Sequence, residues 1–173
     1  MDKFKMFIVG HGRHGKTQMA EQIRDDWGLT FADSSRFMAD RLVMQEMKDR
    51  FGIEYADGEE CWKDRHNHRP KWYKIISEYN QNNPSRLTAA IFEENQIYVG
   101  CRNRDEFLAS KHLADISVWV DGSQRHGPEP SSSMSILQSD CDIVIQNNES
   151  LIVFQEKVHK LMCCILGQPT IKP

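Results

Sequence analysis

The sequence predicts an α/β fold, a doubly wound parallel sheet of about five strands between two layers of helices. Three features point to it. Short apolar runs alternate with helical stripes along the whole chain. The runs at 116–120 and 142–145 are β-branched without polar alternation, as in strands covered on both faces. A glycine-rich turn joins the first apolar run to the first helical stripe.

The elements follow in order. Residues 4–9 form the first strand, with Met6, Phe7, Ile8 and Val9 as its apolar stretch. A helix over 16–27 carries Met19, Ile23 and Trp27 at i, i+4 and i+8, and Gly28 sits where it stops. Residues 29–31 make a second short strand. Phe37, Met44, Met47 and Phe51 mark one face of the next helix. Trp72, Ile75, Ile76 and Tyr79 repeat at i, i+3, i+4 and i+7, with Pro70 at the helix start. Their spacing places Trp72, Tyr73 and Tyr79 in the core, not on a base. Leu87, Ala90 and Ile91 suggest a helix after Pro84. Strands follow at 96–99, 116–120 and 142–145, and the Gly-, Pro- and Ser-rich stretch 122–133 is a loop. The last helix lines up Leu151, Phe154, Val158, Leu161 and Ile165, with Cys163 and Cys164 read as buried packing.

A chain of 173 residues reads as one domain. With 39% hydrophobic and 27% charged residues it has the balance of a soluble globular protein, not of a disordered one. No apolar run reaches the length of a membrane span. The opening apolar stretch is too short for a secretory signal. A net charge of −3 argues against a general nucleic-acid coat, so direct nucleic-acid binding is not expected. Five cysteines without a CxxC suit a reducing cytoplasm. The final amphipathic helix can pack inward or against a second copy, which leaves a homodimer open.

The stretch Gly10-His11-Gly12-Arg13-His14-Gly15-Lys16-Thr17 fits GxxxxGK[ST]. Such a match arises by accident in fewer than about 1% of chains this long, and here it leaves a strand and opens a helix. Glycines let backbone N–H groups turn inward around phosphate oxygens, and the helix N-terminus adds partial positive charge. Gly10, Gly12, Arg13, His14, Gly15, Lys16 and Thr17 are therefore the candidate donor-phosphate residues. Lys16 would reach the β- and γ-phosphates, and the Thr17 hydroxyl would hold Mg²⁺. The side chains of His11 and His14 stand at positions the motif leaves free and are read as partly exposed.

A nucleotide site of this kind admits kinases, GTPases and motor-type ATPases. The chain lacks the NKxD motif with which GTPases read their base, and no apolar strand runs into Asp-Glu as in many ATPases. Its size and scattered arginines favour a small kinase, since transfer between phosphates needs several cations around the moving group. In order, the chain then shows Phe31-Ala32-Asp33-Ser34-Ser35-Arg36, a Glu59–Arg69 stretch with Arg65, His66 and His68, Ile97-Tyr98-Val99-Gly100-Cys101-Arg102, Val118-Trp119-Val120-Asp121, and Asp142-Ile143-Val144-Ile145-Gln146-Asn147-Asn148. This series resembles the bacteriophage-type deoxynucleoside monophosphate kinases, of the P-loop nucleoside and nucleotide kinase fold, over nearly the whole chain.

The resemblance implies a three-layer P-loop NTPase fold spanning 1–173, with an acceptor-binding helical insert at about 34–95 and a short lid at about 122–133. It implies transfer of the ATP γ-phosphate, with Mg²⁺, to a deoxynucleoside monophosphate in the cytoplasm, that of the host if phage-encoded. Arg102 would face the acceptor phosphate and Arg125 would close over ATP from the lid. Asn147 and Asn148 would form the donor-base pocket. Asp33 would accept a proton or hold a Mg²⁺-bound water. Asp33, Ser34, Arg36, Arg65, Arg69 and Arg102 would line the acceptor side, and Lys16, Arg102, Arg125 and Asp33 would be the catalytic set. One departure is that the third strand ends in Gly100-Cys101, where adenylate kinases have an Asp for Mg²⁺-bound water.

Other readings stay open. The acceptor could be dephospho-CoA or a small metabolite, or the chain could be an ATP-binding regulatory module without transfer. The basic cluster Arg65, His66, His68, Arg69 and Lys71 serves equally as an acceptor-binding patch or a solvated helix end. Cys61, His66 and His68 lack a fourth partner at zinc-finger spacing. Asp121 orients a lid arginine or caps the next turn, and Arg86 and Arg104 need no role beyond the surface.

Overall fold

In the computed structural model, which describes residues 3–131 and 133–168, β1 (Met6–Val9) is fully buried at all four positions. α1 (Lys16–Trp27) stops at Gly28, whose left-handed backbone lets its N–H reach the Arg24 carbonyl. That cap takes up Leu29 and Thr30, so β2 is Phe31–Asp33, later than the run 29–31 suggests. Asp33 ends the strand and caps α2 (Ser34–Met38), accepting from the N–H groups of Ser35 and Arg36.

A π-helical turn over Ala39–Val43 joins α2 to α3 (Met44–Phe51), so the helix expected there is real but bulged. α4 (Gly58–Asp64), α5 (Arg69–Asn80) and α6 (Arg86–Glu94) precede β3 (Ile97–Val99). α7 (Arg104–Ser110), β4 (Ile116–Asp121), β5 (Ile143–Gln146) and α8 (Leu151–Leu166) complete the order. The sheet runs β2-β3-β1-β4-β5, all parallel, with Phe7 of β1 between Tyr98 of β3 and Ser117 of β4. The order reverses about β1, which puts a crevice at its carboxyl end.

Side-chain alternation splits the core into two layers. Met6, Ile8, Val118 and Val120 pack with Met19 and Ile23 of α1 and with Phe154 and Val158 of α8. Phe7, Val9, Tyr98 and Trp119 pack on the other side with Met38, Met47, Trp72, Leu87 and Phe107. β5 is an edge strand, and its Val144 is 40% exposed. The absence of alternation in 142–145 therefore does not mean two covered faces there. Trp72 is buried as its spacing predicts and Tyr79 half-buried, but Tyr73 is 66% exposed because it lies off that stripe. Cys163 is half-buried and Cys164 exposed, correcting the view that both are packed inside. No helix among the described residues is long and apolar enough to cross a membrane.

Candidate functional site

The loop after β1 lies at the sheet's carboxyl edge, and its shape is held from behind. Gly15 has φ +102°, and a Cβ there would come 2.2 Å from Asn147 Nδ2, so only glycine fits. The Asn147 amide donates to the His14 carbonyl at 2.8 Å, and its backbone N–H donates to the Asp121 carbonyl at 2.6 Å. Arg13 is the one described non-glycine residue with a left-handed backbone (φ 64°), and its side chain is exposed. Lys16 Nζ donates to the His11 carbonyl at 2.6 Å, and Thr17 is exposed at the start of α1.

His14 is fully buried, contrary to its expected part-exposure. Its Nδ1 accepts from the Gly122 N–H at 3.0 Å and its Nε2 donates to the His126 carbonyl at 3.0 Å. A neutral ring with the proton on Nε2 satisfies both bonds. His11 Nδ1 likewise accepts from the Glu129 N–H at 3.1 Å. Burial first, with the Lys16 and Arg102 charges nearby, lowers the His11 pKa and favours this neutral form. The two loop histidines thus fasten the segment after β4 onto the phosphate loop.

The second side of the crevice forms where β2 and β3 end. Gly100 has φ +92°, and a Cβ there would come 2.9 Å from Asp33 Oδ2, so the glycine gives Asp33 its place. Asp33 Oδ1 accepts from the Ser35 hydroxyl at 2.5 Å, and that hydroxyl accepts from Trp62 Nε1 at 3.1 Å. Ser34 donates to the Gly100 carbonyl at 3.3 Å. Arg65 lies over the Trp62 ring at 4.1 Å and Arg36 at 5.1 Å, the latter also paired with Glu59. Arg69 sits farther out, bonded to the His66 ring at 3.1 Å. Trp62, which the sequence offered only as part of a longer stretch, is the hub of this wall.

Arg102 and Glu129 join the two sides. The Glu129 carboxylate accepts from the Gly12 N–H at 2.7 Å through Oε2 and from Arg102 Nη1 at 2.7 Å through Oε1. Burial alone would raise the Glu129 pKa, but Arg102, the Gly12 amide and Lys16 hold it below the usual carboxylate range. Burial first, and then Arg102, pushes Lys16 down to about 8, against the pull of Glu129 and Asp33. Arg65 feels both Asp33 and Arg102. One charged cluster therefore contains Lys16, Arg102, Arg65, Asp33 and Glu129. Glu129 was not singled out in the sequence; its one signal is an acid between Pro128 and Pro130 in a loop of small residues.

The remaining expected residues lie on the rim. Arg125 is exposed in the turn after β4, with no side-chain hydrogen bond or ion pair among the described residues. Asn148 accepts from the Gln124 N–H at 3.1 Å, and Asp121 caps the same turn through the Ser123 N–H at 3.0 Å. Arg104 forks onto Asp140 at 2.8 and 2.7 Å, and Arg86 covers the Tyr79 ring. Of the expected lid, Ser132 lies outside the described residues.

No protein-family model matches the chain, and no curated protein matches it. Solved structures do. One is a protein of Thermus thermophilus, with TM-score 0.51 and 15% identity, covering 96% of this chain and 99% of that one. Another is a shikimate kinase from Bacteroides thetaiotaomicron, with TM-score 0.50 and 9% identity, covering 94% and 98%. The likeness is one of fold: a five-stranded parallel P-loop sheet with helices on both sides.

Proposed function

We propose that the chain is a P-loop kinase that transfers the γ-phosphate of ATP to a deoxynucleoside monophosphate. The observation that carries this reading is the placement of Arg102. It stands beyond β3, bonded through one carboxylate to the phosphate-loop amide of Gly12. A guanidinium there can fork onto an acceptor phosphate facing the donor site. Arg65, stacked on Trp62, adds a second cation on the acceptor side. The Gly12 N–H of this loop already donates to an oxyanion, the Glu129 carboxylate, as it would to a phosphate oxygen.

In this reading Gly12, Gly15 and the start of α1 would cradle the donor phosphates and Lys16 would swing from the His11 carbonyl onto them. The Thr17 hydroxyl would hold Mg²⁺, which neutralises phosphate charge when bound. Arg125, exposed on the rim, would approach the donor phosphates from there. The chain's part is alignment and charge neutralisation, with no covalent step through a side chain.

A second reading has a small hydroxyl-bearing acceptor, favoured by the Asp33 carboxylate lying close enough for Lys16 to feel its charge. An alcohol needs a base to take its proton, whereas a phosphate acceptor does not. Coupled ADP release decides between them, measured with ATP and each deoxynucleoside or ribonucleoside monophosphate, then dephospho-CoA and shikimate. Turnover with a deoxynucleoside monophosphate well above the others supports the proposal. Turnover confined to a hydroxyl acceptor replaces it, and ATP binding without turnover on any acceptor leaves a regulatory module.

A further inference from the structure

The segment that carries Glu129 is a strap fixed at both ends. At one end the Gly122 N–H and the His126 carbonyl are held by the two nitrogens of buried His14. At the other, Ser135 donates its N–H to the Arg102 carbonyl at 3.0 Å, and Met134 and Ile136 are buried in the core. Between these anchors the Glu129 N–H bonds His11, and Pro128 and Pro130 on either side stiffen the backbone. The strap's Gly- and Pro-rich part, through Glu129, lies bonded across the loop that follows β1.

What the strap delivers there is an anion. One carboxylate oxygen takes the Gly12 N–H, a donor of the phosphate loop, and the other takes Arg102, the cation placed for the acceptor. Lys16 lies within the field of the same carboxylate. A loop amide and a guanidinium, each 2.7 Å from one oxygen of the same oxyanion, are the kind of donors that meet a phosphoryl group. The space at Gly12 is also taken up, since a Cβ there would come 3.2 Å from the Glu129 carboxyl.

We propose that Glu129 is a built-in stand-in for the transferring phosphoryl group, which keeps the nucleotide-free site closed and which ATP must displace. The inference rests on the phosphate-loop reading above and adds a competition to it. A bound ATP cannot share the Gly12 N–H and Arg102 with the carboxylate, so each ATP molecule must first open the strap. Apparent affinity is then reduced by the fraction of protein in which the strap is open. Opening also frees Arg102 for the acceptor, so donor binding prepares the acceptor side.

The test is calorimetric titration of MgATP, without acceptor, into the wild-type chain, Glu129→Gln and Glu129→Ala. Gln keeps the shape and removes the charge; Ala removes the group, and unfolding curves show that both variants are folded. The expected result is ATP affinity tighter by about tenfold or more in both, as for a closed state holding about nine-tenths of the wild-type protein. Hydrogen exchange at the Gly12 and Glu129 amides should also be faster in both variants before nucleotide is added. Equal or weaker ATP binding by folded variants overturns the stand-in and leaves the site reading intact. Absence of ATP binding in all three proteins overturns the phosphate-loop reading, and this inference with it.

Discussion

Asn147→Ala should loosen the phosphate loop from behind. The amide it removes is buried, 2% exposed, and donates at 2.8 Å to the carbonyl of His14, itself 1% exposed. Truncation deletes that bond and leaves the carbonyl without a donor where water cannot easily replace it. A buried polar group stranded in this way costs about 1–3 kcal/mol. The backbone N–H of Asn147 still reaches Asp121, so β5 stays attached and the loss is local. For a chain of this size the cost corresponds to a fall in Tm of about 2–10 °C. Asn148→Ala is the control: it is half-buried, and its bonds to the Gln124 N–H and the Asp121 carboxylate lie at the surface turn where water can replace them, so it should cost less than Asn147→Ala. Urea unfolding at neutral pH gives both numbers. A lower midpoint with unchanged slope is expected for Asn147→Ala. If its midpoint equals that of the wild type, the amide is not a brace and the argument from burial and geometry fails.

Arg102→Ala should raise the KM for a deoxynucleoside monophosphate by about 10- to 100-fold, the worth of one lost charge-assisted pair, without weakening ATP. Arg102→Lys should recover only part, and intact acceptor KM in the Ala variant would remove Arg102 from the site. Glu106 on α7 is buried, accepting from the Tyr98 hydroxyl at 2.9 Å and the Asn80 amide at 3.2 Å, and burial pushes its carboxyl up to about 7. The folded chain then binds this proton more tightly than the unfolded one. Its stabilising contribution is complete below the unfolded value near 4.5 and is lost as pH rises through about 7, by up to about 3 kcal/mol. Glu106→Gln should flatten that slope in urea unfolding from pH 5 to 8; parallel slopes would refute it. The Gly122 and Glu129 amides should exchange slowly even without nucleotide, and rapid exchange would mean the strap is open.

The GxxxxGK[ST] turn between β1 and α1 and the order of strands and helices were legible because each rests on local pattern. GxxxxGK[ST] is a backbone requirement written in glycines, and apolar runs report burial. What the sequence left hidden depends on contacts between distant segments. Glu129 and Gly12 are 117 residues apart, and His14 and Gly122 108. Nothing near either histidine tells that it will be a latch. Tyr73 and Val144 were misplaced because an apolar residue type does not say which face of an element will be covered. The sequence offered Asn147 only for a donor-base pocket, and nothing in it marks the residue as the donor that holds the His14 carbonyl. Trp62 passed unnoticed because an aromatic among charges becomes a site wall only when Arg36, Arg65 and Ser35 fold onto it.

Transfer from ATP to a deoxynucleoside monophosphate can be followed on the phosphate itself. The purified chain is incubated with Mg²⁺, ATP labelled at the γ-position and each deoxynucleoside monophosphate, and the products are separated. Label should appear in a deoxynucleoside diphosphate, and Lys16→Met should slow its appearance by about 10²-fold or more. Label found only in ATP and free phosphate with every deoxynucleoside monophosphate would rule out this acceptor class, and transfer at the native rate by Lys16→Met would remove Lys16 from the donor site.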